Sequence, residues 1–342
     1  MNEHDLRQLE IPLPFQPERN SQTHQAQRSA RVWASRFELI RDESAAGKFD
    51  ALGYGRFASY WCPTASFPDL VLMVEWITLY FVFDDLQDRA AQTGRFDEYD
   101  RLRHAALDVV HSRGLSEPGE PVLAALSDLC RRSFARNSPA WARRFELNLD
   151  VWLIGHAREN SFRQAGTTPS LEEFVRLRRD ASTVLPTFDL AEIVEHIEIP
   201  DRLYFGPSYQ QIIASTTDLM CWINDLHSLA VEVETDDPIN LVTVLRRHAG
   251  MDLARAVAEV RRLIEGRIAD HQAAVAGIAA EMDDLALPPN LRNGIRRCLR
   301  DARSAIAGME LWDRTDTVRF AASDHARQQR DIDYGNDYLP TS

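Results

Sequence analysis

Three oxygen-bearing side chains recur every four residues in one segment of the chain. Asn224, Ser228 and Glu232 would share one face of a helix, because four residues is slightly more than one helical turn. An amide, a hydroxyl and a carboxylate are hard oxygen donors, which suit Mg²⁺ better than zinc. Asp84 and Asp88 have the same spacing far upstream. Two such faces on separate helices predict a site that holds a diphosphate between metal ions.

Both groups adjoin strongly apolar sequence. The aspartates follow residues 79–83, and a charge cluster that ends a buried helix needs cations to neutralise it. Residues 220–223 precede the second group, and Asn and Ser are poor helix formers in such interiors unless their side chains have partners. The alternatives are a solvated helix end for the first group and a capping or buried hydrogen-bonding role for the second.

The composition narrows the class of protein. Hydrophobic residues make up 44% of the 342 residues, which is enough for a substantial core. The net charge of −13 argues against nucleic-acid binding. Lys48 is the single lysine, so arginines are the main candidates for binding phosphate.

The cysteines and the hydropathy of the sequence predict the cellular compartment of the protein. The four cysteines are widely spaced and form no CxxC pair, so a zinc or redox motif is not expected. The apolar stretch 70–83 is interrupted by Glu75 and is shorter than the roughly 20 residues of a membrane span. The N-terminus is polar and acidic, unlike a signal peptide. We therefore expect a reduced, soluble, cytoplasmic protein.

Helical periodicity dominates the chain, with no strand alternation and no internal repeat. Pro186 predicts a helix break near residues 182–187. The pattern predicts one all-α domain over 1–342, with an extended segment at 1–25 and a C-terminal tail or lid at 321–342. The predicted helices are 28–43, 69–83, 99–113, 120–136, 140–161, 171–181, 207–233, 240–248, 252–284 and 289–312.

The two motifs together resemble those of bacterial class I terpene synthases. The aspartate-rich motif DDxx(x)D/E is matched by Asp84-Asp85-Leu86-Gln87-Asp88, and the motif NDxxSxxxE is matched by residues 224–232. The resemblance extends over nearly the whole chain. It implies a helical bundle with a central apolar active-site cavity. It further implies three Mg²⁺ ions bound by six residues: Asp84, Asp85, Asp88, Asn224, Ser228 and Glu232.

The implied activity is cyclisation of a linear prenyl diphosphate through a carbocation, with release of diphosphate. Farnesyl diphosphate is marginally favoured over geranylgeranyl diphosphate. Arg178, with its neighbour Arg179, lies where the family carries its diphosphate-sensing arginine, and Arg319-Phe320 resembles the C-terminal arginine–tyrosine pair. Ser182 matches the small residue at the helix break. The resemblance also allows a homodimer.

Aromatic residues are candidates for the wall that stabilises the cation. The resemblance implies catalytic roles for Phe81, Arg178 and Ser182. Phe81 is expected to act on the reacting cation, and the other two on the reacting groups. Tyr80, Phe57 and Trp312 are further pocket candidates, and core packing is the alternative for each aromatic. His227 falls off the predicted ligand face, which favours a solvated or supporting role.

Two departures from the family concern diphosphate contacts. Val231 replaces the basic residue that often precedes the final glutamate, and Phe320 replaces the tyrosine. The resemblance therefore implies that Arg178, Arg179 and Arg319 carry more of the diphosphate binding. Three other functions stay open: a chain-elongating prenyltransferase, a catalytically inactive prenoid-binding helical protein, and an all-α Mg²⁺ diphosphohydrolase for nucleotides. The Asn/Ser/Glu motif argues against the first and the apolar flanks against the last.

Overall fold

A computed structural model describes residues 9–235 and 237–320, so the predicted tail at 321–342 lies outside the described residues. The described part is all-α, without strands, as predicted. Its helices are α1 Thr23–Arg36, α2 Glu43–Leu52, α3 Tyr54–Trp61, α4 Phe67–Thr93, α5 Phe96–His111, α6 Pro121–Phe134, α7 Pro139–Ala165, α8 Leu171–Ala181, α9 Val184–Val194, α10 Asp201–Tyr204, α11 Pro207–Thr235, α12 Leu241–Ala249, α13 Leu253–Asp284 and α14 Pro289–Leu311. A π-helical turn follows at Trp312–Asp316.

Local sequence signals explain where the helices begin and end. Ser170 and Glu173 form a reciprocal capping box at the start of α8, which matches its predicted bounds. Ser138 caps α7, and its hydroxyl accepts hydrogen bonds from the next turn. Gly94 ends α4 with φ 72°, a conformation that glycine adopts without a steric penalty.

The helix α4 is longer than the sequence pattern predicted. The prediction ended it at residue 83, but the helix continues to Thr93. The aspartates therefore lie inside a helix and not at its end. The expectation that they end the buried helix is wrong, because a polar face can continue on a helix whose other faces stay buried.

The predicted break between helices is confirmed at Ser182 and Thr183. Ser182 leaves the helical conformation with ψ 153°, and α9 begins two residues later. Pro186 lies in the first turn of α9, where its missing N–H removes no intrahelical bond. The break thus precedes the proline, and it separates α8 from α9.

The helices α4 and α11 are the central elements of one continuous hydrophobic core. Helix α4 packs against α1, α3, α5, α6, α7 and α9, while α11 packs against α8, α9, α12, α13 and α14. Each central helix carries one of the two donor motifs. Four buried, unpaired cysteines lie at the end of α3 and in α6, α11 and α14. None of the helices described combines the length and apolarity that a membrane crossing requires.

Candidate active site

The aspartates of α4 are held by an arginine from the C-terminal segment. Arg319 Nη1 donates to Asp85 Oδ1 at 2.6 Å, and Arg319 Nη2 donates to Asp84 Oδ2 at 2.5 Å. Asp88, one turn further along, lies 3.6 Å from Arg163 of α7. Paired guanidinium and carboxylate groups of this kind form strong charge-assisted hydrogen bonds. Arg319 therefore contacts two of the three predicted ligands on α4.

A cluster of aromatic rings lies directly against this arginine. The Arg319 guanidinium carbon is 5.0 Å from the centre of the Phe81 ring. Phe81 stacks on Tyr54 with centroids 4.7 Å apart, and Phe57 and Trp312 lie 6.2 Å and 5.3 Å from it. We call the four aromatic residues Tyr54, Phe57, Phe81 and Trp312 the aromatic cluster. Three of them were predicted to line the pocket, and Tyr54 was not.

Tyr80 lies on a different side of α4. Its ring contacts Trp152 of α7 at 5.0 Å and Trp76 at 5.3 Å. A step of one residue turns a helix by about 100°, so Tyr80 and Phe81 point to different neighbours. The structure thus places Tyr80 in the packing between α4 and α7, apart from the aromatic cluster.

The second motif is held by hydrogen bonds at each of its donors. The Asn224 amide nitrogen donates to Asp313 Oδ2 at 3.3 Å, and the Ser228 hydroxyl donates to the Asn224 carbonyl at 2.8 Å. Glu232 Oε2 accepts a 2.6 Å hydrogen bond from Asn240. Asn240 also caps α12 and donates to the Asp225 carbonyl at 2.7 Å. This residue therefore ties the start of α12 to the motif.

The consecutive arginines of α8 have different partners. Arg178 donates to Asp225 at 2.9 Å and lies 3.5 Å from Glu159. Arg179 instead makes two hydrogen bonds to Asp218, at 2.7 and 2.6 Å. Of these two arginines, Arg178 is the one with a hydrogen bond to a residue of the second motif in the described part of the chain. Ser182 follows as the residue that ends α8.

Two charged residues of α7 contact the aspartate-rich motif, and neither was predicted from the sequence. Glu159 is 3% exposed and accepts a 3.2 Å hydrogen bond from Gln87 inside the aspartate-rich motif. Arg163 lies between Asp88 and Asp237, at 3.6 and 2.8 Å. Their spacing of four residues in a helix was the available signal, because it places both on one face.

Burial shifts the acidity of the carboxylates of the second motif. Burial raises the pKa of Asp225 to about 6, although Arg178 opposes the shift. Burial also raises the pKa of Glu232 to about 8, assisted by the charges of Asp237 and Asp225. A cation beside Glu232 would offset the free-energy cost of its buried charge. The donor set and its electrostatics therefore fit a divalent cation.

The carboxylates do not form a ready-made cage for a metal ion. Among the described residues, no three Asp, Glu, His or Cys side chains converge as a metal-binding group. One physical reason is visible at α4, where Arg319 binds both Asp84 and Asp85. The other is the composition of the α11 face, which offers one carboxylate beside an amide and a hydroxyl.

His227 is buried and not solvated. Its side chain is 2% exposed, and both ring nitrogens lack hydrogen-bond partners in the described part of the chain. Burial lowers its pKa to about 4, and Arg314 adds to the shift. The predicted solvated role is wrong, because α11 is enclosed by neighbouring helices on this side as well.

A separate cavity of about 710 Å³ lies at the other end of α4. Asp69 lines it and is paired with Arg136 at 2.5 Å and with His196 at 3.1 Å. Asp69 is four helical turns from Asp84, which corresponds to roughly 22 Å along the helix axis. This cavity is therefore not part of the site formed by the two motifs.

A family model described as "Terpene synthase family 2, C-terminal metal binding" matches residues 75–270. The match covers more than half of the chain and includes both donor motifs. The chain belongs to terpene synthase family 2. The predicted resemblance to bacterial class I terpene synthases is confirmed, and the protein is a terpene cyclase.

Individual relatives extend the match over most of the chain. Pristinol synthase of Streptomyces pristinaespiralis is 28% identical over 93% of this chain and 88% of its own. The (−)-β-caryophyllene synthase of Saccharothrix espanaensis is 28% identical over 86% of this chain and 83% of its own. The crystal structure of α-eudesmol synthase superposes with a TM-score of 0.80 at 21% identity, covering 89% of this chain and 98% of that one. The last comparison supports the all-α fold of this terpene synthase.

Proposed function

We propose that this terpene synthase ionises a linear prenyl diphosphate with Mg²⁺ and cyclises the resulting carbocation, with farnesyl diphosphate as the favoured substrate. One observation supports this most strongly. Arg319 binds the aspartates of α4 and at the same time lies 5.0 Å from the Phe81 ring. The part of the site that would bind the diphosphate is therefore in contact with the aromatic cluster.

The metal site is assigned to the six predicted donors. Asp84, Asp85 and Asp88 would bind from α4, and Asn224, Ser228 and Glu232 from α11. Bound Mg²⁺ would supply electrostatic stabilisation of the departing diphosphate. Three ions are expected from the family resemblance.

Two arginines are proposed to bind the diphosphate. Arg178 and Arg319 are each placed beside one donor motif, and a guanidinium can bind phosphate oxygens through two hydrogen bonds. The growing negative charge on the leaving group would strengthen these contacts as the C–O bond breaks. Arg179 supports α8 through Asp218 in this proposal. This arrangement would also compensate for Val231 and Phe320, which lack the basic and hydroxyl groups of relatives.

The aromatic cluster is proposed to enclose the carbocation. Ring faces attract positive charge, by about 2 kcal/mol or more when water is excluded. Phe81 adjoins the proposed diphosphate site, so it would face the first allylic cation. Ser182 ends α8, and the carbonyl groups at a helix C-terminus carry partial negative charge that would favour a nearby cation. The apolar wall would also keep out water that would trap the cation.

The substrate length is supported by a relative. The (−)-β-caryophyllene synthase is named as cyclising (2E,6E)-farnesyl diphosphate, and it is 28% identical to this chain. A C15 substrate is therefore favoured over a C20 substrate here. The experiment is incubation of the purified protein with Mg²⁺ and the C10, C15 or C20 diphosphate, followed by extraction into alkane. We expect cyclic hydrocarbon or alcohol from the C15 substrate.

Two further measurements distinguish the alternative functions from cyclisation. A chain-elongating prenyltransferase would give longer diphosphates when isopentenyl diphosphate is added. A prenoid-binding protein without activity would bind substrate but release no diphosphate. Absence of any extractable product from all three substrates would refute the cyclase proposal.

The Asn224→Ala variant tests the metal assignment. We expect its turnover to fall by at least about 100-fold, because one oxygen donor to the metal is lost. Circular dichroism should show an unchanged helical content. Retained Mg²⁺-dependent turnover in Asn224→Ala would show that this face of α11 does not bind the metal.

A further inference from the structure

Asp313 contacts a proposed metal ligand from a distant part of the sequence. It accepts the hydrogen bond from the Asn224 amide nitrogen, with 3.3 Å between Nδ2 and Oδ2. The side chain of Asp313 is 4% exposed. Nothing in the donor motifs identifies this residue, and the sequence analysis did not single it out.

The π-helical turn fixes the position of Asp313. Helix α14 ends at Leu311, and the wider turn Trp312–Asp316 follows it. The Trp312 indole N–H donates to the carbonyls of Leu52 and Gly53, both at 3.1 Å. Such anchoring holds the turn between α3 and α11. Asp313, the next residue, is therefore delivered to Asn224 by packed structure.

The contact decides which way the Asn224 amide faces. An asparagine side chain has an oxygen that binds hard cations and a nitrogen that cannot. In the structure, Oδ2 of Asp313 accepts the hydrogen bond from the Asn224 amide nitrogen, so the nitrogen is the amide atom that faces Asp313. With the nitrogen engaged by Asp313, the oxygen is directed to the opposite side of the amide.

We propose that Asp313 is a positioning residue that orients the Asn224 amide so that its oxygen faces the metal site. This inference rests on the proposed function, since it assumes that Asn224 is a ligand. Residues that hold metal ligands in place typically change metal affinity 10- to 100-fold when they are substituted.

The burial of Asp313 supports a role beyond packing. Its Oδ1 atom is buried without a hydrogen-bond partner among the described residues. A buried acceptor without a partner costs free energy, and an apolar residue of similar shape, such as leucine, would avoid that cost. The carboxylate is thus an unfavourable choice for stability at a position that touches a metal ligand.

The test is an exchange of the two side chains. In Asp313→Asn, the new amide can offer its own nitrogen or oxygen to Asn224, so the orientation is no longer fixed. In Asn224→Asp, two carboxylates would face each other. In the double variant Asn224→Asp/Asp313→Asn, the amide nitrogen at 313 can donate to the carboxylate at 224, which leaves an oxygen for the metal.

The readout is Mn²⁺ binding in the presence of inorganic diphosphate, followed through the electron paramagnetic resonance signal of free Mn²⁺. We expect the Mn²⁺ dissociation constant to rise about tenfold in Asp313→Asn and further in Asn224→Asp. The double variant should bind more tightly than Asn224→Asp. The Mg²⁺ concentration that gives half-maximal turnover should follow the same order.

Asp301→Asn is the matched control, because Asp301 is a buried carboxylate of α14 that pairs with Arg300. Its metal binding should equal that of the wild type. If the wild type binds Mn²⁺, either of two results would overturn this inference without affecting the proposed function. One is an unchanged Mn²⁺ binding curve in Asp313→Asn. The other is a double variant that binds Mn²⁺ no more tightly than Asn224→Asp. A wild type that does not bind Mn²⁺ overturns both the inference and the proposed function.

Discussion

Arg178 and Arg179 are neighbours in sequence but face different parts of the molecule. Arg178 reaches Asp225 in the second motif, whereas Arg179 is bound by Asp218. Asp218 also pairs with Arg267 of α13 at 2.9 Å. The first arginine is thus near the proposed diphosphate site, and the second belongs to an ion-pair network between α8, α11 and α13.

This difference predicts unequal effects of two matched variants. Arg178→Ala should lower kcat by about 100-fold, because a donor to the departing diphosphate is lost. Arg179→Ala should lower kcat by less than about tenfold and reduce stability by about 1 kcal/mol, since a partly exposed ion pair is lost. Steady-state kinetics of diphosphate release and thermal unfolding measure the two effects. Equal losses of kcat would contradict the assignment.

The candidate metal ligands could be chosen from the sequence, but the residues that contact them could not. Hard oxygen donors with helical spacing are visible in the chain, so Asn224, Ser228 and Glu232 could be chosen without coordinates. Their neighbours Asp313 and Asn240 come from other helices or turns, and only packing brings them together. The choice between Arg178 and Arg179 likewise depends on the rotation of α8 relative to α11.

At the scale of elements, the crossing of α7 and α8 controls where Arg178 and Ser182 lie. Gly155 of α7 approaches the end of α8 so closely that a Cβ atom there would lie 2.5 Å from the Ala181 backbone. Contacts of this length with backbone atoms require the helix to move. The absence of a side chain at Gly155 thus lets the end of α8 lie against α7.

Gly155→Ala should therefore move α8 and weaken the protein. We expect a loss of about 1–3 kcal/mol in the free energy of unfolding, as for other overpacked interiors. Turnover should fall as well, because the displaced segment carries Arg178. Gly266→Ala in α13 is the control, since its Cβ would meet nothing within 4 Å. That substitution should stabilise the protein by up to about 1 kcal/mol.

Urea unfolding and turnover at saturating substrate measure both glycine variants. Full stability in Gly155→Ala would mean that the two helices can separate without cost. Full activity with reduced stability would mean that the exact placement of the end of α8 is unimportant for catalysis.

The sequence predicted elements with strong local signals and missed those that depend on packing. The start of α8 follows from its capping box. Helices α2 and α3 are short and join at Gly53, so their periodicity covers too few residues to be distinguished from a loop. The extension of α4 through its aspartates was also missed, because polar residues on one face were interpreted as the end of the helix.

At the scale of the whole molecule, buried histidines couple folding to pH. Burial lowers the pKa of His156 to about 3 and those of His227 and His271 to about 4. His271 joins α13 to α11 through a 3.0 Å contact with Ser215 Oγ. A histidine whose folded pKa is depressed must take up a proton on unfolding when the pH is below its unfolded pKa of about 6.5.

His271→Gln tests this coupling. The contribution of neutral His271 to stability is present above pH 6.5 and is lost as the pH falls from 6.5 towards 4. The free energy of unfolding of the wild type should therefore fall relative to that of His271→Gln by about 2 kcal/mol between pH 7 and pH 5. Denaturant unfolding of both proteins across this range measures the difference. A constant difference would show that the pKa of His271 is the same in the folded and unfolded proteins.

The four buried cysteines have a practical consequence. Burial raises the pKa of each thiol, so each resists alkylation while its surroundings stay folded. Cys62, Cys130, Cys221 and Cys298 lie in different parts of the bundle, and the Cys221 sulfur is 3.9 Å from the Arg178 carbonyl. The alkylation rate of each cysteine thus reports how readily the region around it opens. Mass spectrometry of pulse-alkylated protein would resolve the order in which these regions separate, without any introduced cysteine.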